Sequence, residues 1–322
     1  MMGGPEPGGA VSAHHTPSLR SVDASRSAVT MGSLAALAHL IPAVPVPFLA
    51  DGALDEKGLA PLYGFLDDAG VDGVFVSGTT GEFPSLDEAE RDVVLTEALA
   101  VFGPERVYAH VGAASARQAE RLAARAVALG ATTLAAITPY YLPAGPRALV
   151  DHYRRIAAAA GGARLFVYLY PARTTTTVTP EQLAELAAIP GVAGVKISGE
   201  PTARVVEYLR AVPAGFAVYS GNDVEFAAVV RAGAAGAVSG VSSAFPRPFV
   251  ELRDALRRGD DQAAATAQAH VEQAVAAVGG NVALIKAVLA QRGLPAGPTR
   301  MALDPPSPAQ VDTLTAAVAD LA

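Results

Sequence analysis

The 322-residue chain contains no cysteine, which removes disulfides, thiolate nucleophiles, iron–sulfur clusters and Cys-type zinc sites together. It has no uninterrupted apolar run near the ~18 residues needed to span a bilayer. Basic residues are outnumbered: 24 Lys and Arg against 31 Asp and Glu give a net charge of −7, with the signs mixed along the chain. Nucleic acid and anionic membrane both require a basic face, so neither is expected as a partner. The six histidines, His14, His15, His39, His110, His152 and His270, show no metal-ligand spacing. No Walker loop, dinucleotide-binding G-x-G-x-x-G or G-x-S-x-G elbow is present. Lysine is confined to Lys57, Lys196 and Lys286. A cytoplasmic protein is the simplest reading of such a chain.

Apolar residues make up 51% of the chain, ample for a large core, which excludes wholesale disorder. The length allows two domains or one large α/β barrel. Residues 1–32 are rich in Gly, Pro, Ser, Ala and His without an apolar core stretch and read as a disordered tail. Met31-Gly32, just before the first apolar segment, leaves open that the natural start is Met31.

From Ile41 onward, short apolar runs alternate with longer helical patterns. The runs end near Phe48, Val76, Val111, Ile137, Tyr168, Lys196, Ser220 and Ser239, at intervals averaging about 27 residues. A strand, a helix and two loops need about that length, so the repeat is βα with parallel strands. Ser85-x-x-Glu88, Ser115-x-x-Gln118 and Thr179-Pro180-x-Gln182 have capping-box spacing and predict helix starts. Gly70, Gly130 and Gly233 follow helical stretches as C-terminal cap glycines should. Leu86, Ala89 and Val93 form an apolar stripe opposite Asp87, Glu88, Arg91 and Asp92. Eight units predict a (β/α)8 TIM barrel over 33–245 rather than a doubly wound sheet. Helical patterns at Pro248 to Arg258, Asp261 to Val278, Val282 to Gln291 and Pro308 to Leu321 predict a last barrel helix and a C-terminal helical region over 246–322.

In such barrels reactive groups lie at the C-terminal ends of the strands. Lys57 sits in a charged helix start and Lys286 in a late amphipathic helix, and both read as ordinary. Lys196 differs, because Val192-Ala193-Gly194-Val195-Lys196-Ile197 places it near the end of an apolar strand. Desolvation there lowers an amine's pKa and raises the neutral fraction that attacks carbonyls. The alternative is a structural lysine paired with a carboxylate across the barrel. Gly78-Thr79-Thr80-Gly81-Glu82 after the second strand can form a tight turn whose N–H and hydroxyl groups suit a small carboxylate, although most such turns are only turns. Tyr140, Tyr141 and Tyr168 occupy similar strand ends. Tyr168 lies 28 residues before Lys196, one βα unit, so its phenol could pass protons to a lysine adduct, or simply pack. Arg173 could fork onto a substrate carboxylate or pair on the surface. His110, inside the third strand, reads as a satisfied core histidine.

Taken in order, Gly78-Thr79-Thr80-Gly81-Glu82, Thr138-Pro139-Tyr140-Tyr141, Tyr168 with Pro171 and Arg173, Gly194-Val195-Lys196 and Ser220-Gly221-Asn222-Asp223 resemble the motifs of the dihydrodipicolinate synthase/N-acetylneuraminate lyase family. The resemblance covers about Ser33 to the C-terminus. It implies a (β/α)8 barrel with a C-terminal helical region, a homo-oligomer (dimer or tetramer), no cofactor or metal, and Schiff-base chemistry on pyruvate or another 2-oxo acid. By the same resemblance Lys196 is the imine-forming lysine and Tyr168 the proton-transferring tyrosine. Thr79 and Thr80 hold the pyruvate carboxylate and link the hydroxyl relay, Thr80 being counted with the catalytic set. Tyr141 is a relay tyrosine reaching across a dimer interface, Arg173 receives the carboxylate of an acidic aldehyde, and Val238 lines the pocket with its backbone carbonyl.

The implied mechanism joins the pyruvate enamine to an aldehyde, or in reverse cleaves a 2-oxo-4-hydroxy acid. Some positions depart from the family pattern. Ile197-Ser198-Gly199 follow the lysine where Glu-Ala or Asp-Ser is common, Tyr170 departs from the Tyr-Asn-x-Pro pattern, and Phe83-Pro84 follow Glu82. Phe83, Pro84, Glu88, Ala114 and Gln118 occupy the positions of a polar allosteric pocket, so feedback inhibition by lysine is not expected. Arg173 and the paired threonines favour a reaction like that of 4-hydroxy-tetrahydrodipicolinate synthase. The altered lysine neighbourhood favours a 2-keto-3-deoxy sugar-acid aldolase or dehydratase. A third reading, of another class, is a regulatory barrel that binds pyruvate without turnover.

Overall fold

In the computed structural model, which describes residues 37–321, the apolar runs become parallel strands: β1 (His39–Pro42), β2 (Val74–Val76), β3 (Val107–His110), β4 (Thr133–Ile137), β5 (Arg164–Leu169), β6 (Val192–Ile197), β7 (Ala217–Ser220) and β8 (Gly236–Ser239). The tail expected over residues 1–32 lies outside the described residues. Neighbours in sequence pair in parallel from β2 to β8, and β8 pairs with β1 through Ile41 opposite Val238. A parallel bridge from Ala43 to Phe75 joins β1 to β2 and closes the ring, which is the expected (β/α)8 barrel.

The first strand is shorter than the apolar run before Phe48. It ends at Pro42, and Phe48 makes only an isolated antiparallel bridge to Leu54. Pro45 and Pro47 bring no N–H to a ladder, so the segment cannot continue as a paired strand.

Side-chain alternation along the strands builds two apolar layers. Ile41, Phe75, Ala135, Phe166, Tyr168, Tyr219 and Val238 fill the barrel. Leu40, Val74, Val76, Leu134, Val167, Val195 and Ile197 instead join the layer under the surrounding helices. Those helices are α1 (Glu56–Asp68), α2 (Glu88–Phe102), α3 (Ala116–Ala128), α4 (Pro146–Ala159), α5 (Pro180–Ala187), α6 (Thr202–Ala211) and α7 (Phe226–Arg231).

Thr179 and Gln182 form the expected reciprocal capping box at α5, and Ser115 caps α3 by accepting the Gln118 N–H. The start of α2 differs from the sequence expectation. Asp87, with Glu90 reaching back, makes the capping box, while Ser85 ends a 3-10 turn and donates to the Glu82 carbonyl. A carboxylate accepts the helix N–H groups better than a hydroxyl does at the positive end of the helix dipole. Gly70, Gly130 and Gly233 all have positive φ just past α1, α3 and α7, as their spacing predicted.

After β8, α8 (Pro246–Arg258) packs on β1 and on α9 (Asp261–Val278), followed by α10 (Val282–Gln291) and α11 (Pro308–Leu321). Among the described residues no single helix is long and apolar enough to cross a membrane. The pair α9 and α10 reaches the length and apolarity together, but is bent by 108° between them.

Candidate active site

Lys196 is positioned by alternation. Val195 and Ile197 face the helices, so the residue between them points into the barrel, level with Tyr168 on β5 and Tyr219 on β7. Two residues earlier only glycine fits: a Cβ at Gly194 would lie 2.2 Å from the Phe166 ring and 2.6 Å from the Ala217 carbonyl. The Lys196 side chain is 5% exposed. Its Nζ lies 4.4 Å from the Phe75 ring centre and 4.2 Å from that of Tyr168. Burial pushes the amine from its ordinary 10.5 down to about 7, with the Asp223 carboxyl pulling the other way. A large share of the lysine is therefore uncharged at neutral pH, as a nucleophile toward a carbonyl requires.

The phenol of Tyr168 is buried beside this amine and lies 3.1 Å from Thr79 Oγ1. Burial raises its pKa, while hydrogen bonding to Thr79 and Ser198 draws it back. Thr79 rather than Thr80 therefore contacts the phenol. Thr80 lines the cavity and packs against Gly240, where a Cβ would come within 2.8 Å of its Oγ1. Val238 is buried on β8 and also lines the cavity. The Arg173 guanidinium lies 5.8 Å from the Tyr170 ring centre and lines the same space, and no carboxylate among the described residues pairs with it. Tyr141 stands apart: it is 89% exposed, with φ +77°, on the loop before α4, outside the cavity wall. Its neighbour Tyr140 is the one that lines the cavity, edge-on to Phe83.

Four further residues that the sequence reading named without a functional role belong to the site or its support. Asp223, on the turn after β7, accepts from Ser239 Oγ at 2.8 Å through Oδ2, while its buried Oδ1 has no hydrogen-bond partner among the described residues. Burial pushes its carboxyl up to about 7, against the Ser239 hydrogen bond and the Lys196 charge. Ser198 lines the cavity two residues past the lysine. Glu82 and Lys286 form a buried ion pair at 2.8 Å, so Lys286 is not the ordinary helical lysine its position suggested. The signal was there: Val282-Ala283-Leu284-Ile285-Lys286-Ala287-Val288 is apolar on every side, and a helix of that kind is buried. His110 is buried as expected, and its Nε2 accepts the Ile137 N–H at 3.2 Å. Burial and the nearby Arg91 and Lys196 charges keep it neutral. Among the described residues no group of three or more His, Asp and Glu could hold a metal ion.

These residues surround a cavity of about 730 Å³ at the C-terminal mouth of the barrel, within the size range of small-molecule sites. A desolvated amine, a phenol joined to a hydroxyl and a guanidinium that no carboxylate among the described residues engages all open onto it. The arrangement can capture a carbonyl, move its protons and hold an anionic group.

Comparison with known proteins agrees with this chemistry. The profile of the dihydrodipicolinate synthetase family matches residues 36–321. An uncharacterized DapA-like lyase of Halobacterium salinarum is 39% identical over 267 residues, 82% of this chain and 87% of that protein. The 4-hydroxy-tetrahydrodipicolinate synthase of Stenotrophomonas maltophilia is 36% identical over 228 residues, 70% of this chain and 76% of that one. Among solved structures, the sialic acid aldolase of Ruminococcus gnavus superposes with a TM-score of 0.83 at 26% identity, covering 88% of this chain and 97% of its own.

Proposed function

The chain belongs to the dihydrodipicolinate synthetase family, and from that premise we propose that Lys196 is the amine on which its Schiff base forms. The protein is a class I aldolase/lyase acting on pyruvate or a related 2-oxo acid, which sets aside the regulatory barrel. The observation that carries the assignment is the buried Lys196 amine against the Tyr168 phenol, itself hydrogen-bonded to Thr79.

In this reading neutral Lys196 attacks the keto carbon of pyruvate, whose carboxylate rests against the Thr79-Thr80 turn. Tyr168 delivers and removes protons through the Thr79 hydroxyl while water leaves. The protonated imine then draws electrons from the adjacent carbon, the methyl group loses a proton, and the resulting enamine adds to an aldehyde. Arg173, which no carboxylate among the described residues engages, favours an acidic aldehyde and a reaction like that of 4-hydroxy-tetrahydrodipicolinate synthase. The second reading, a 2-keto-3-deoxy sugar-acid aldolase or dehydratase, draws on Ser198 and Asp223, hydroxyl and carboxyl groups suited to sugar hydroxyls, in the same cavity. The exposed Tyr141 fits a residue that completes the relay of a second subunit in a homo-oligomer. Location in the cytoplasm remains part of this proposal.

Borohydride trapping with pyruvate tests the assignment. Lys196→Ala should abolish the adduct, and Tyr141→Phe should keep it while slowing turnover. Retained trapping in the lysine variant would remove Lys196 from the mechanism. Pyruvate consumption with aspartate semialdehyde, set against cleavage of 2-keto-3-deoxygluconate, separates the two substrate readings.

A further inference from the structure

The cavity is far larger than pyruvate, and part of its wall comes from the C-terminal region, from α9 onward: Val275, Gly280, Asn281, Val282, Met301 and Leu303. None of these side chains is charged. The one polar side chain is that of Asn281, whose Oδ1 accepts the Ala283 N–H at the start of α10. Met301 and Leu303 are 40% and 41% exposed, an unfavourable setting for large apolar side chains unless something covers them.

The exposure of Met301 does not come from a loose segment, and Leu303 is tied back to it by an N–H bond to the Met301 carbonyl at 2.7 Å. Glu82, at the end of the double-threonine turn, accepts the backbone N–H groups of Arg300 and Met301, each at 2.8 Å, through Oε2. Its Oε1 faces Lys286 Nζ, which also donates to the Pro298 carbonyl at 2.7 Å. Arg300 donates to the Gly52 and Ser85 carbonyls and to both oxygens of Glu90, with its guanidinium 4.1 Å from the Phe48 ring centre. Residues 298–301 are thus fixed to the turn that carries Thr79, and Met301 and Leu303 are presented to the cavity.

We infer that Met301, clamped in place through Glu82, and Leu303 beside it are specificity-determining residues that pack on an uncharged, carbon-bearing flank of the second substrate. This rests on the reading of Lys196 as the imine-forming lysine. Covering the two side chains with substrate removes apolar surface from water at the step where the aldehyde binds. Their contribution therefore falls on the KM for the aldehyde and not on pyruvate capture.

The test uses the full chain with pyruvate as donor and propanal or hexanal as acceptor. Wild type should favour hexanal. Met301→Ala and Leu303→Ala should each lower the hexanal-to-propanal ratio of kcat/KM about fivefold or more, through the hexanal KM, with unchanged borohydride trapping of pyruvate. Both side chains are partly exposed, so the variants should fold as wild type does. An unchanged ratio, no turnover of either aldehyde by a wild type that traps pyruvate, or altered oligomer size without altered selectivity would each overturn the inference. Wild type that fails to trap pyruvate would instead overturn the assignment of Lys196.

Discussion

A lysine buried among aromatic rings is a cost to the fold and a requirement of the proposed chemistry. With its pKa at about 7 instead of 10.5, Lys196 binds fewer protons in the folded chain than in the unfolded one between those values. Its contribution to stability is therefore full above pH 10.5, falls as the pH drops toward 7, and stays lost below that. Lys196→Met should accordingly raise Tm by roughly 2 °C or more at pH 7 while abolishing imine formation, the exchange expected where a functional group is strained. Scanning calorimetry reads the first and trapping the second; a lower Tm would contradict the buried-amine account. The rate of imine formation with pyruvate should rise with pH through about 7 and then level off. Because Asp223 holds the lysine's pKa up, Asp223→Asn should move that rise to lower pH. The inflection belongs to the coupled pair and not to either residue alone. A rise that continues toward pH 10 in wild type would mean a solvated lysine.

At the level of elements, the turn after β2 and α10 meet through the buried Glu82–Lys286 pair. Glu82→Gln leaves an uncompensated ammonium inside the protein and should cost about 3–5 kcal/mol, whereas Glu82→Gln with Lys286→Met should recover most of that loss in chemical denaturation. Equal losses in the single and double variants would show that the pair is not what joins the two elements. On β6, Gly194→Ala would drive a methyl group into Phe166 and the Ala217 carbonyl and should destabilise by about 1–3 kcal/mol.

The βα repeat was legible in the sequence because apolar runs, cap residues and cap glycines recur at a fixed interval. So was the burial of Lys196 at the strand end, because an amine inside an apolar strand is conspicuous. The Glu82–Lys286 pair was not: the apolar surroundings of Lys286 mark it as buried, but its partner lies about two hundred residues away and nothing local identifies it. The early end of β1 and the Asp87 cap were missed for a different reason: proline and competing acceptors act on hydrogen bonds that hydrophobic periodicity does not register. The contact of Thr79 rather than Thr80 with Tyr168 depends on how the turn is oriented, which spacing leaves undetermined.

At the scale of the whole molecule, the barrel brings strand ends together at one mouth, and the C-terminal region walls part of it. Tyr141 and its neighbour Leu142, 89% and 71% exposed, form an apolar projection that the proposed homo-oligomer would cover. Leu142→Asp should reduce the assembled mass in light scattering and slow turnover together, and an unchanged mass would place the interface elsewhere. The most direct measurement of the central claim is peptide mapping of the intact protein after borohydride reduction with pyruvate. The account predicts a single adduct on the peptide carrying Lys196, and modification of Lys57 or Lys286 in its place, or of no lysine, would contradict it.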